Sequence, residues 1–114
     1  MRRSSKATLA DALAATESIV SIVSGTTRDE YLATRMLRSA VEQEFLIVGE
    51  ALNTLDSITD DARDRVTHLG RIVGMRNRPA HAYKLIDDAM IWSVACDAIP
   101  TLRHELQEWL HSMI

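Results

Sequence analysis

The sequence is poor in the residues that build and punctuate β-sheets: aromatic residues make up 4% of its 114 positions, with only four glycines and two prolines. A hairpin or sandwich architecture is thereby deprived of its strand formers and its turns, which leaves helices. One cysteine, Cys96, excludes an intrachain disulfide framework and points to a reducing cytoplasm. An excess of positive charge is also missing, since 13 Lys and Arg against 16 Asp and Glu give a net charge of −3, with a pI near 5.7. Proteins that coat nucleic acid need many cations to neutralise phosphates, so any such contact here must be local. No stretch approaches the ~18 uncharged apolar residues of a membrane span. The start, MRRSSKATLADALAATESIVSIVSG, places basic residues before apolar ones, but Asp11 and Glu17 interrupt the apolar run. It reads as a short basic tail over residues 1–7 leading into a helix.

What is present is an ordinary foldable composition, 46% hydrophobic and 25% charged, at the length of a single domain. Leu9, Leu13, Thr16, Val20 and Val23 recur at helical spacing, with Thr8 and Asp11 suited to the cap and first turn and Gly25 to the end. A longer helix is expected from Thr27 or Arg28 to Leu55, carrying the stripe Leu37, Val41, Phe45, Val48, Leu52 and Leu55. Gly49 inside it implies a tight helix crossing. Asp60 to His68 reads as a short charged helical piece, and Arg71 to Arg78 as two further turns after Gly70. A last pattern runs from Asp87 or Asp88 through Met90, Ile91, Val94, Ala95 and Ala98 to Leu102, Leu106, Trp109 and Leu110. Asp87 suits its N-cap, and Pro100 either kinks it or opens a new helix. The whole predicts an all-α up-and-down bundle of four to five helices.

Between those last two patterns lies Arg76-Asn77-Arg78-Pro79-Ala80-His81-Ala82-Tyr83. On an unbroken helix the Arg76 and His81 side chains would diverge by about 140° and share no ligand. Pro79 removes a backbone donor and biases Arg78 away from helical angles, so a bend is expected, and a bend can bring the two together. Histidine exchanges a proton near neutral pH, with an unperturbed pKa of ~6.5. Arginine stays charged and matches phosphate oxygens with a planar fork. Asn77 can hold the backbone or the imidazole, and Arg78 adds local positive charge. These are the parts needed to cleave RNA without a metal through attack by the 2′-hydroxyl, which DNA lacks. Read alone, such an arginine and histidine are better explained as ordinary surface residues of a helix end.

The run Ile72-Val73-Gly74-Met75 followed by Arg-x4-His-x-Tyr resembles the signature of HepT-like toxins of the HEPN superfamily. Phe45-Leu46-Ile47-Val48-Gly49-Glu50-Ala51-Leu52 is similar to that family's second-helix segment. Ile86-Asp87 through Trp92, then Ile99-Pro100-Thr101-Leu102, are similar to its closing helix. The resemblance runs from about residue 8 to the C-terminus. It implies a HEPN-like bundle and a metal-independent endoribonuclease, the toxin of a type VII toxin–antitoxin pair, with Arg76 and His81 catalytic and Asn77 and Arg78 supporting. It also implies a homodimer in the cytoplasm, an RNA substrate, no cofactor, and a nucleotidyltransferase antitoxin of the MNT type. That partner alone would use ATP, to place AMP on Tyr83. The positions between Asn77 and His81 are usually bulky and aliphatic in the family, whereas Arg78, Pro79 and Ala80 stand here. That departure keeps open a second expectation, an inert HEPN subunit that binds nucleotide or RNA or scaffolds a nucleotidyltransferase.

Other residues carry paired readings. Glu50 lies beside the cleft or on the solvated face of its helix; Arg71 and Lys84 steer RNA or are surface charge; Tyr83 is a modification site or a core-edge phenol. His104 and His111, seven apart with Glu108 between them, hint at a metal, but an amphipathic surface explains them better. Cys96 is expected in the core, and Trp92 and Trp109 in the core or an interface.

Overall fold

A computed structural model of the chain describes residues 4–75 and 88–113. Its helices are α1 (Ser5–Ser24), α2 (Arg28–Ala33), α3 (Arg35–Ile58), α4 (Asp61–Arg65), α5 (Leu69–Met75), α6 (Asp88–Asp97) and α7 (Ile99–Ser112). No strand occurs among the described residues, and the all-α bundle is as expected. It has seven helical segments among those residues rather than four or five, because three short pieces, α2, α4 and α5, accompany the longer ones.

α1 begins earlier than Thr8. Ser4 is its N-cap, the side chain accepting from the Ala7 N–H at 3.1 Å, so the tail before the helix is shorter than seven residues. Thr8 is instead buried inside the helix, its hydroxyl donating to the Ser4 carbonyl. The buried face of α1 is centred on Leu9, Ala12, Ala15, Thr16 and Ile19, with Leu13, Val20 and Val23 on its margins. The small alanines let α1 lie close along α3, and α1 also packs against α6 and α7. By length and composition α1 is apolar enough to cross a membrane, a test that a core helix also passes.

The single helix expected from Thr27 to Leu55 is two. Thr27 caps α2 through a capping box with Glu30, whose carboxylate accepts from the Thr27 N–H at 3.2 Å while Thr27 Oγ1 accepts from the Glu30 N–H at 3.1 Å. Thr34 then adopts extended angles, φ −113° and ψ 104°, and the chain restarts as α3. A β-branched residue gives up helical angles at little cost, and the break accompanies complete burial of Tyr31. From Val41 to Leu55 the predicted α3 stripe is buried throughout, Gly49 with it, while Leu37 is half-buried.

Beyond α3, Gly70 falls inside α5 rather than before a helix, since a Cβ there would meet nothing within 4 Å and the backbone needs no glycine conformation. Pro100 opens α7 in its permissive first turn. The junction is tight: the Ala98 N–H donates to the Val94 carbonyl, and the Leu102 N–H to that of Ala98. Cys96, expected inside, is exposed, because Val94, Ala95, Ala98 and Ile99 take the buried positions and Cys96 falls off that face. Met90 is exposed for the same reason, the buried position of that turn going to Ile91. Trp109 is buried, and Trp92 packs half-buried on the core.

Candidate active site

The motif residues Arg76, Asn77, Arg78, His81 and Tyr83, with Lys84 and the expected cap Asp87, lie outside the described residues. What the structure shows is how the chain enters and leaves that stretch. On the entry side α5 packs against α3, burying Ile72 and Met75. Met75 is therefore a fixed, core-anchored neighbour of Arg76, and Arg71 sits exposed on the outer side of α5.

On the exit side the first residue of α6 is also tied to α3. Arg38 Nε lies 3.4 Å from Asp88 Oδ2, with both side chains about a third exposed or less. The same guanidinium donates through Nη1 to the Leu32 carbonyl at 2.6 Å, so one side chain joins α3, the end of α2 and the start of α6. Asp88 in the first turn of α6 also suits the positive end of that helix. Beside the pair, the Tyr31 ring meets Trp92 of α6 with centroids 5.1 Å apart and planes inclined at 38°. Burial, reinforced by the Asp88 and Glu42 carboxylates and opposed by Arg38, holds the Tyr31 phenol well above the usual tyrosine range. Its hydroxyl is buried and makes no hydrogen bond among the described residues.

Sequence reasoning missed this cluster. Arg38 and Asp88 are polar residues of separate helices fifty positions apart, and no periodicity marks a pair of that kind. The available signal was Tyr31, a large ring off the α3 stripe that had to find a partner.

Glu50 is exposed on α3. It borders a groove of about 620 Å³ between α1 and α3, shared with Thr8, Asp11, Gln43, Leu46 and Ile47. His104 Nε2 lies 3.2 Å from Glu108 Oε1 in an exposed helical pair, and His111 is nearby. Among the described residues no three His, Cys, Asp or Glu side chains are grouped to hold a metal ion.

Comparison with known proteins matches residues 12–109 to the family described as Ribonuclease HepT-like. A protein of Methanocaldococcus jannaschii named "Putative RNase MJ1380" is 27% identical over 108 residues, covering 93% of this chain and 96% of that one. No solved structure gives a significant match. With the family match reaching from the middle of α1 to the end of α7, across both anchors and the stretch between them, the chain belongs to the HepT-like ribonuclease family.

Proposed function

We propose that this protein is a metal-independent endoribonuclease that cleaves RNA through Arg76 and His81. The observation that carries the reading is the family match over residues 12–109, which spans Arg76-x4-His81-x-Tyr83. His81 takes the proton of the 2′-hydroxyl, and that oxygen attacks the adjacent phosphorus. The bond from phosphorus to the 5′-oxygen breaks, the leaving oxygen takes up a proton, and a 2′,3′-cyclic phosphate remains. Arg76 stabilises the added charge on the phosphate oxygens, with Asn77 and Arg78 supporting the geometry and the local positive field. The net charge of −3 makes this short basic stretch, rather than the whole surface, the place where RNA is held.

The same reading makes the protein the toxin of a toxin–antitoxin pair in the cytoplasm. It acts as a homodimer, and a nucleotidyltransferase antitoxin silences it by moving AMP from ATP to Tyr83. An adenylate two residues from His81 adds bulk and negative charge where the RNA phosphate must sit.

The test is cleavage of a single-stranded RNA in EDTA by the wild-type protein, Arg76→Ala and His81→Ala. Loss of cleavage in both variants with the helical signal intact supports the assignment, and full activity in both refutes it. Uncut RNA together with a stable complex with a nucleotidyltransferase instead identifies an inert scaffold subunit, the second reading that Arg78-Pro79-Ala80 keeps open.

A further inference from the structure

The groove beside Glu50 does not end at Gln43. A second hollow of about 360 Å³ continues it along the same seam of α1 and α3, and Gln43 lines both. Together they form a trough that follows α3 from Ala40 to Ile58. At 1.5 Å per residue that is about 27 Å, the length of a helix of roughly 18 residues. Its apolar part is open to solvent: the neighbours Leu46 and Ile47 are 43% and 38% exposed, and Ile22 of α1 is half-buried towards the other end. The small side chains of Ser18, Ser21, Ala40 and Ala51 also line it and leave room for a helix backbone to come close.

Charge along the trough has one sign. Asp11, Glu44 and Glu50 border it, and no Lys, Arg or His does. α3 carries no Lys, Arg or His from Ser39 to its end at Ile58, and α1 none after Lys6. Glu17, further along α1, is answered by Arg103 of α7 at 3.9 Å. Asp11 and Glu50 already have contacts within the chain, whereas Glu44 makes no hydrogen bond or ion pair among the described residues. A second copy of the chain would bring the same carboxylates against these, so self-association through this face is disfavoured. Addition of a strand has no footing either, because the described residues form helices and offer no sheet edge. What fits is a helix with an apolar stripe and with lysine or arginine on its flanks.

We propose that the trough between α1 and α3 is a docking surface for a basic amphipathic helix of a partner protein. Leu46 and Ile47 receive its apolar stripe, and Glu44 pairs with a cation on its flank.

The experiment uses the full-length protein and a fluorescein-labelled 18-residue peptide of leucine and lysine, with the leucines at helical spacing. Binding is read by anisotropy at about 0.15 M salt, and its place by backbone amide shifts. A scrambled peptide without an apolar face and a version with glutamate for lysine are the controls. The expected result is saturable binding, with shifts confined to the trough-lining parts of α1 and α3. Ile47→Lys should weaken it about tenfold, and Glu44→Lys about fivefold. Glu108→Lys makes the same change of charge beside a different hollow on α7 and should alter affinity less than about twofold. The scrambled peptide should bind about tenfold more weakly, and the acidic one not at all. Each variant is first checked for the wild-type helical signal, and Leu46→Ala, expected to lose about fivefold, replaces Ile47→Lys if that variant does not fold. Absence of saturable binding overturns the proposal, as do shifts elsewhere on the molecule. Equal affinity for the scrambled peptide, or a loss in Glu108→Lys as large as in Glu44→Lys, reduces the attraction to diffuse charge and overturns it too. A wild-type dimer that Ile47→Lys dissociates would mean that a second copy covers this face, and the partner helix is then refuted.

Discussion

Glu105 of α7 accepts from both donors of Thr67: the backbone N–H is shared between Oε2 at 3.1 Å and Oε1 at 3.3 Å, and the hydroxyl reaches Oε2 at 2.6 Å. The residues are 38 apart in sequence, and the contact fastens the chain between α4 and α5 to the last helix. Just beyond it the Ile72 N–H closes on the His68 carbonyl, so Thr67 stands at the root of the helix that delivers Arg76. Glu105→Ala removes a charged acceptor that sits in exposed surroundings, leaving the Thr67 donors to water. A loss of about 1 kcal/mol is expected in urea unfolding, with Glu105→Gln losing less because the amide oxygen still accepts.

Tyr31 gives a prediction of opposite sign. Its ring fills the core beside Trp92, but its hydroxyl finds no partner among the described residues. Tyr31→Phe keeps the ring and removes a buried polar group, so stability at neutral pH should hold or rise by up to about 1 kcal/mol. Tyr31→Ala should cost about 3–5 kcal/mol through the cavity it leaves. Because burial raises the folded-state pKa above 10.0, the wild type keeps the full contribution below that pH and loses it as pH climbs further, where the unfolded chain sheds the phenolic proton first. Denaturant midpoints measured across alkaline pH should therefore fall more steeply in the wild type than in Tyr31→Phe. Parallel curves would contradict this burial.

How far the fold was legible follows from what kind of signal each element left. The α3 stripe from Val41 to Leu55 was readable residue by residue, since a helix that buries one face must repeat its apolar side chains every three to four positions. Pro100 and Thr27 were readable as punctuation. The break at Thr34 was not, because a lone β-branched residue is tolerated in many helices and only the burial of Tyr31 shows why the chain turns there. Cys96 was misplaced because its position on the face of α6 depends on where that helix meets α1 and α7, which spacing does not supply. At the candidate site, Arg76, His81 and Tyr83 stood out by residue type and spacing, whereas Arg38 and Asp88 are ordinary charges until the fold joins them.

Gly70 tests the corrected boundary of α5. It is exposed in the helix, and a Cβ would meet nothing within 4 Å. Gly70→Ala should stabilise the protein by about 0.5–1 kcal/mol, because alanine loses less backbone entropy on becoming helical. A rise in Tm of a few degrees without change in RNA cleavage is the expected outcome. A fall would mean that residue 70 belongs to a turn, as the sequence pattern first suggested.

The regulatory reading makes the sharpest demand on a single side chain. If AMP is carried on the phenol of Tyr83, incubation with the nucleotidyltransferase partner and ATP should add the adenylate mass to the peptide containing Tyr83 and extinguish cleavage. Tyr83→Phe should cleave RNA before and after that incubation, since it keeps an aromatic ring and lacks the oxygen that would bond phosphorus. An adenylate brings a negative phosphate within two residues of His81, next to a stretch that holds Arg76 and Arg78, so the modified protein should also lose affinity for uncleaved RNA. That loss should shrink as salt rises, because the repulsion is screened within about 10 Å at 0.1 M salt, while the steric block persists. Adenylate found on Tyr83→Phe, or full cleavage by protein quantitatively modified at Tyr83, would remove this tyrosine from the control of the enzyme.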